Sequence, residues 1–306
     1  MFKDKINEKK YIKCVSEKGI FSNSYESRMP QTVVQSAILN HFKNSKKTPK
    51  CLFLGWDGCR ADAMKYLISN GDARLCGSSK IAPFSAVSML KEQGGLYVTY
   101  VGGDNGVVQE TSTAQGWASA LCGKWMKKEW RQGIEWALDD DYPTVLKTLA
   151  LTGYKTSFNA IWPIHFNNTY KNEIDFAQKN SLNQLYYKFE TDEELFENCK
   201  ARIAKNDDFI FTVFEGPDMN GHGTGFGDDN YRYVSNACNL DTLSYYLIKE
   251  LEKRDTFEEE DWLVVICSDH GGHGRDTEHR KLLTEQHFLP CQSPLRSLLN
   301  DEVHIR

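Results

Sequence analysis

Short wholly apolar runs alternate along this chain with longer stretches whose apolar residues recur every three or four positions, and that alternation predicts its architecture. Val33, Val34, Ala37, Ile38 and Phe42 fall on one helical face from Pro30 onward. A strand is predicted over 51–56, then a turn at Asp57-Gly58 and a helix over 60–69. A helix over 84–93 stops at Gly94-Gly95, and a strand over 96–101 leads into the glycine-rich loop 102–106. Further on, the pattern predicts helices over 114–121, 143–151, 191–205 and 229–254, and strands over 154–159, 209–214 and 262–267. Pro143 suits a first helical turn, and Thr191 with Glu194 reads as a capping box. Helices alternating with fully apolar strands imply an α/β fold with a mostly parallel central sheet covered on both faces. Residues 1–29 carry no clear period and read as an N-terminal arm, and 30–306 as one catalytic-size domain.

Three of the predicted strands end in acid or in acid and histidine. CLFLGWDG ends at Asp57, FIFTVFEGPDMNGH at Asp218 and His222, and WLVVICSDHGGHG at Asp269 and His270. In open α/β sheets chemistry gathers beyond the carboxyl ends of the strands, so these five side chains are expected to meet. One acid after a strand is commonly a helix cap or turn former. Five hard oxygen and imidazole ligands on one rim suit divalent metal, with enough ligands for two ions.

Composition narrows the setting. The chain has 306 residues, 40% hydrophobic and 26% charged, with a net charge of −5 and no dominant basic block. That balance is globular and argues against a dedicated nucleic-acid surface, while leaving room for a small phosphate-bearing ligand. No run reaches membrane-spanning length, and MFKDKINEKKYIKC lacks the apolar core of an export signal. Nine scattered cysteines without paired spacing point to a reduced, cytoplasmic setting.

Thr111-Ser112-Thr113 lies between the glycine-rich loop and a helix start, where free N–H groups favour anions. Alone, such residues are ordinary N-caps; beside a metal-ligand set, one hydroxyl becomes a candidate nucleophile. The order Asp57, TAQGWASALCG from Thr113, Pro217-Asp218-Met219-Asn220-Gly221-His222 and Ser268-Asp269-His270-Gly271 resembles the alkaline phosphatase superfamily. The branch it is most similar to is that of type I phosphodiesterases and nucleotide pyrophosphatases, with sulfatases as more distant kin. The resemblance implies an alkaline phosphatase-like three-layer sandwich and a metal-dependent hydrolase of phosphate esters, diesters favoured over monoesters.

It also implies roles. Asp57, Asp269 and His270 would hold one cation beside a nucleophilic Thr113, and Asp218, His222 and a further histidine the other. His279 is the choice for that last ligand, with His273 as runner-up and His287 a further option. Zinc is the first expectation and manganese tolerates the same ligands. Thr113 would attack phosphorus in line, giving a phospho-threonine that water hydrolyses. Trp117, nearest Thr113 among the many aromatics, is the expected substrate contact.

Three features depart from that branch. Gln115 replaces a proline, and the stretch 132–137 lacks the asparagine that would donate to a phosphate oxygen; Asn105, Lys124 or Asn159 could substitute, but each reads more readily as structural or solvated. The C-terminal FLPCQSPLRSLLNDEVHIR is short and mixed where an apolar strand is expected, so either the sheet lacks an edge strand or the chain is an abbreviated member. These departures keep open a member that binds phosphorylated ligands without turnover. A sulfatase-like activity is the other alternative, although TSTAQGW lacks the Pro and Arg that follow a sulfatase nucleophile.

Overall fold

The computed structural model describes residues 29–60, 63, 84–94, 96–104, 106–126, 136–227, 230–272, 274 and 288–292. Its strands are β1 Met29–Pro30, β2 Thr48–Trp56, β3 Leu96–Tyr100, β4 Thr156–Ala160, β5 Gln184–Lys188, β6 Phe209–Phe214, β7 Glu260–Cys267 and β8 Phe288–Gln292. They form one sheet in the order β1-β3-β8-β7-β2-β6-β4-β5. Every pairing is parallel except those of β8, which runs antiparallel to both β3 and β7.

The apolar runs that predicted strands are buried on both sides, as a helix-covered parallel sheet requires. Cys51 and Phe53 of β2 face one apolar cluster, together with Phe209, Phe211, Val213, Leu263 and Val265. Leu52, Leu54 and Trp56 face the other, with Ile210, Phe214, Val264 and Ile266. On the first face pack α1 Val33–Asn44, α3 Thr113–Cys122, α4 Val145–Leu151 and α5 Lys171–Lys179. On the second pack α2 Ala86–Gln93, α6 Asp192–Ala204 and α8 Tyr231–Glu252. Each fully buried leucine or phenylalanine of the central strands contributes roughly 1.5–3 kcal/mol. This is the three-layer sandwich expected from the sequence. No helix among the described residues is long and apolar enough to cross a membrane.

Several elements depart from the sequence pattern. The turn expected around Asp218 is a helix, α7 Gly216–Thr224, started by Pro217 in its first turn where the missing N–H costs nothing. Its three glycines and lack of an apolar stripe hid it. Pro143 precedes the helix: Thr144 is the N-cap of α4 and accepts from Lys147 N. The edge strand β5 and helix α5 were not foreseen, since β5 is only half buried and its polar neighbours conceal it. A sheet lacking a strand at the chain's C-terminal end is also corrected. FLPCQ forms β8, which lies inside the sheet between β3 and β7 rather than at an edge. It meets β7 at the pair Ile266 and Gln292, so Pro290 lies in a strand laddered along its length on the β3 side, which leaves room for a residue without an N–H. Most of the helix expected over 60–69, and all but Met29 of the expected arm, lie outside the described residues.

Candidate active site

Sheet register brings the acids together. Gly55 pairs with Cys267 and Trp56 with Phe214, so β2, β7 and β6 release their chains at one level of the same rim. Asp57 N donates to Phe214 O at 2.9 Å. Gly58 then takes a left-handed φ of +63°, and a Cβ there would lie 2.6 Å from Asp218 Oδ1. A glycine at this turn therefore lets Asp218 of α7 close in beside Asp57.

The turns from β2 and β7 are stitched to each other. Gly58 N donates to Asp269 Oδ1 at 3.2 Å, Cys59 N to Ser268 Oγ at 3.0 Å, and Ser268 Oγ to His270 O at 2.9 Å. Asp57 Oδ2 accepts from Trp117 Nε1 at 3.1 Å. The remaining oxygens, Asp57 Oδ1 and Asp269 Oδ2, are buried and accept no hydrogen bond. His270 Nε2 stands 3.5 Å from each of them. His270 Nδ1 is 2.9 Å from Gly271 O, a group that can only accept, so Nδ1 donates there and Nε2 is the nitrogen turned to the two acids. Thr113, the first residue of α3, places Oγ1 3.1 Å from that same Nε2.

Ligand atoms of Asp57, Asp269 and His270 lie within 4.8 Å of one another, and all three residues are buried. Burial pushes the carboxyl groups of Asp57 and Asp269 well above the usual range. The charges of Asp269 and Asp218 add to the rise at Asp57, and that of Asp218 at Asp269. Acids crowded together out of water are costly to ionise without a cation, and the two open oxygens with an imidazole nitrogen are the donor set a divalent ion takes. The residues therefore fit a metal.

The second acid–histidine pair abuts the first. Asp218 and His222 lie one turn apart on α7, with Nε2 3.1 Å from Oδ2. The Asp218 hydrogen bond raises the pKa of His222, whose side chain is 43% exposed. The third histidine expected for this pair, whether His279, His273 or His287, lies outside the described residues.

Helix α3 presents its amino end to the rim without a side-chain cap. Its N-cap Ser112 turns its hydroxyl to Gln115 Oε1, so the first-turn N–H groups remain available to an anion. Gln115, in place of the expected proline, is thus a buried partner for that hydroxyl.

Other expectations are corrected. Trp117 is fully buried between β2 and β6, edge-on to Phe53 and Phe211, and cannot touch a substrate. Its part in the site is the hydrogen bond that orients Asp57. Asn159 is buried and spends its amide on Phe211 O, Thr212 and Asn198, while Lys124 lies over the Tyr142 ring. Neither replaces the missing asparagine; Asn105 lies outside the described residues. Trp56, Trp136 and Phe226 are core, and Trp125 packs on Tyr100.

One rim residue escaped the sequence reading. Glu215 follows β6 as Asp57 follows β2, a signal masked by the stronger motif at Asp218. It accepts from Trp162 N, and burial raises its carboxyl to about 7, reinforced by Asp192 and Asp218. Asp192 in turn accepts from Glu215 N and Gly216 N, fixing the start of α7.

The mostly parallel sheet covered by helices is a fold shared with solved structures of low sequence identity. The chain is similar to a protein of the alkaline phosphatase superfamily from Vibrio parahaemolyticus, at 13% identity over 87% of this chain and 69% of that one, with a TM-score of 0.51. It is also similar to the lipoteichoic acid synthase LtaP from Listeria monocytogenes, at 13% identity over 81% and 65% of the two chains and a TM-score of 0.50. A 2-O GAG sulfatase matches at 12% identity over 81% and 64%, also with a TM-score of 0.50. At such identities these likenesses establish the fold alone. Residues 96–290 match the family of type I phosphodiesterases and nucleotide pyrophosphatases, and the chain belongs to that family. No curated protein sequence matches it.

Proposed function

We propose that this protein hydrolyses small phosphate esters, diesters in preference to monoesters, with Thr113 as nucleophile. The observation that carries this reading is Thr113 Oγ1 at 3.1 Å from an imidazole nitrogen that itself faces two open, buried carboxylate oxygens. Asp57, Asp269 and His270 would hold one divalent cation, and Asp218 and His222 with a histidine outside the described residues a second, zinc before manganese. Bound there, the cations would neutralise the acids, lower the pKa of the threonine hydroxyl and stabilise charge on the transferred phosphoryl group.

The chain's own groups do the rest. Trp117 Nε1 and the backbone of Gly58 hold Asp57 and Asp269 so that their open oxygens converge. The first-turn N–H groups of α3 face the equatorial oxygens of the phosphoryl group. Thr113 Oγ attacks phosphorus, the bond to the leaving alkoxide breaks, and water later cleaves the phospho-threonine, returning the hydroxyl and releasing phosphate or a phosphomonoester. A cytoplasmic setting belongs to the same proposal, supported by the buried thiols of Cys51, Cys122 and Cys199.

The test is the purified protein loaded with zinc or manganese and offered an aryl phosphodiester, an aryl phosphomonoester and an aryl sulfate. Diester turnover at least tenfold above the others supports the proposal, and Thr113→Ala should remove it while retaining the metal. Full metal content with no hydrolysis of any of the three would replace it with a phosphate-binding protein.

A further inference from the structure

Between the two acid–histidine pairs stands a buried ring that neither pair uses. Phe226, just beyond α7, is 6% exposed and lies edge-on to His222, with centroids 5.5 Å apart. Two glycines press against it from the two ligand-bearing segments. A Cβ on Gly221, the residue before His222, would sit 2.3 Å from Phe226 Cε1, and one on Gly272, two residues after His270, 2.3 Å from Cδ2. Contacts this short mean that both backbones close onto the ring with no room for a side chain. The backbone of Phe226 is tied to the same segment, with Phe226 N donating to Gly274 O at 2.7 Å.

A second ring extends the link to the third segment. Tyr233 of α8 is fully buried and packs edge-on against Phe226, with centroids 5.5 Å apart. Its hydroxyl donates to Gly58 O at 2.6 Å and accepts from Arg60 N at 2.8 Å, closing the turn that aims Asp57. Arg60 Nη1 returns to Gly272 O at 2.6 Å.

We propose that Phe226 is a positioning residue for the paired cation site. Its ring, held by Tyr233, sets the spacing between the segment carrying Asp218 and His222 and the segment carrying Asp269 and His270. This rests on the metal-site reading above. Removing the ring lets α7 shift against the strand-end turns, which carries Asp218 and His222 away from the segment of Asp269 and His270 while the stitched first set keeps its geometry.

The experiment measures zinc uptake by the full chain, by elemental analysis and by titration, with circular dichroism and thermal melting to establish folding. Wild type should take two zinc ions. Phe226→Ala should keep one and bind the other at least tenfold more weakly, and Phe226→Leu, which fills more of the space, should lie between. Gly272→Ala should impair the second ion in the wild-type background and at least threefold less beside Phe226→Ala, because the added methyl enters the vacated volume. If folded Phe226→Ala and Phe226→Leu both bind two zinc ions with wild-type affinity, or if the losses from Phe226→Ala and Gly272→Ala simply multiply, the proposal fails. Should Phe226→Ala not fold, Phe226→Leu is read by the same criterion. A wild-type protein that takes up no zinc or manganese would instead overturn the metal-site reading.

Discussion

The two halves of the proposed cation site are built by different means. Asp57, Asp269 and His270 hang from the ends of adjacent central strands, are at most 2% exposed, and are joined by backbone hydrogen bonds between their turns. Asp218 and His222 ride one face of a short helix carrying three glycines, and the His222 side chain is nearly half exposed. Strand register fixes the first set wherever the sheet forms; the second depends on how a helix docks. The first half should therefore hold its ion tightly and exchange it slowly, and the second should be the adjustable one.

The largest effect that sharpens this contrast belongs to Asp269→Asn. It keeps the shape and the acceptor for Gly58 N but removes a charge from the crowded set. Diester hydrolysis should fall by at least about 10³-fold and the tightly held ion should be lost. The metal-free fold should not be weaker, since a buried like-charge repulsion is relieved. Zinc content and a urea melt in chelator decide it; retention of the tight ion would break the distinction.

His222→Ala comes next. The open half should lose its ion while the buried half keeps one, with activity down about 10- to 100-fold and the melting temperature of the one-ion form unchanged. If this substitution empties both halves, the two are one cooperative site and the contrast is wrong. Trp117→Phe should act on the opposite half and more gently. It removes the donor to Asp57 Oδ2 and leaves a small cavity, so the tight ion should bind about tenfold more weakly, with roughly 1–2 kcal/mol lost from stability. A loss confined to the weaker ion would place the role of Trp117 elsewhere.

The same contrast governs what could be read from sequence. Strand ends announce themselves: CLFLGW and WLVVIC are apolar on both faces, and the acid that follows each marks the rim, so the fold and the buried half were legible. The helix bearing Asp218 and His222 was not, because Gly216, Gly221 and Gly223 erase helical pattern and Pro217 suggests a break when it is a start. The expected substrate contact at Trp117 failed for a related reason. Nearness in sequence to Thr113 says nothing of which helix face the indole takes, and α3 turns it inward against Phe53 and Phe211. Phe226 and Tyr233 carry no local signal, since their partners lie in segments distant along the chain.

The smallest effect provides the control, because the rim is not the only place where polar atoms lie buried without hydrogen bonds. Both ring nitrogens of His165 are in that condition, inside a cage of Trp162, Phe158, Tyr170 and Phe166. Unlike the rim oxygens they face rings, not other ligands, so they define no site. Burial lowers the His165 pKa to about 3. Because the folded value lies below the unfolded one of about 6.5, the unfolded chain takes up this proton first as pH falls, and stability is lost on the acid side. The loss should run at roughly 1.4 kcal/mol per pH unit from about 6.5 towards 3, reaching roughly 3 kcal/mol at pH 4.5. His165→Leu should remove that slope while changing stability at pH 7.5 by about 1 kcal/mol or less. Urea unfolding of both proteins at pH 7.5 and 4.5, in chelator, isolates the term, since the rim acids titrate alike in each. Equal acid losses in wild type and variant would show that the imidazole is not held neutral, and would weaken the use of partnerless burial as a guide to the rim itself.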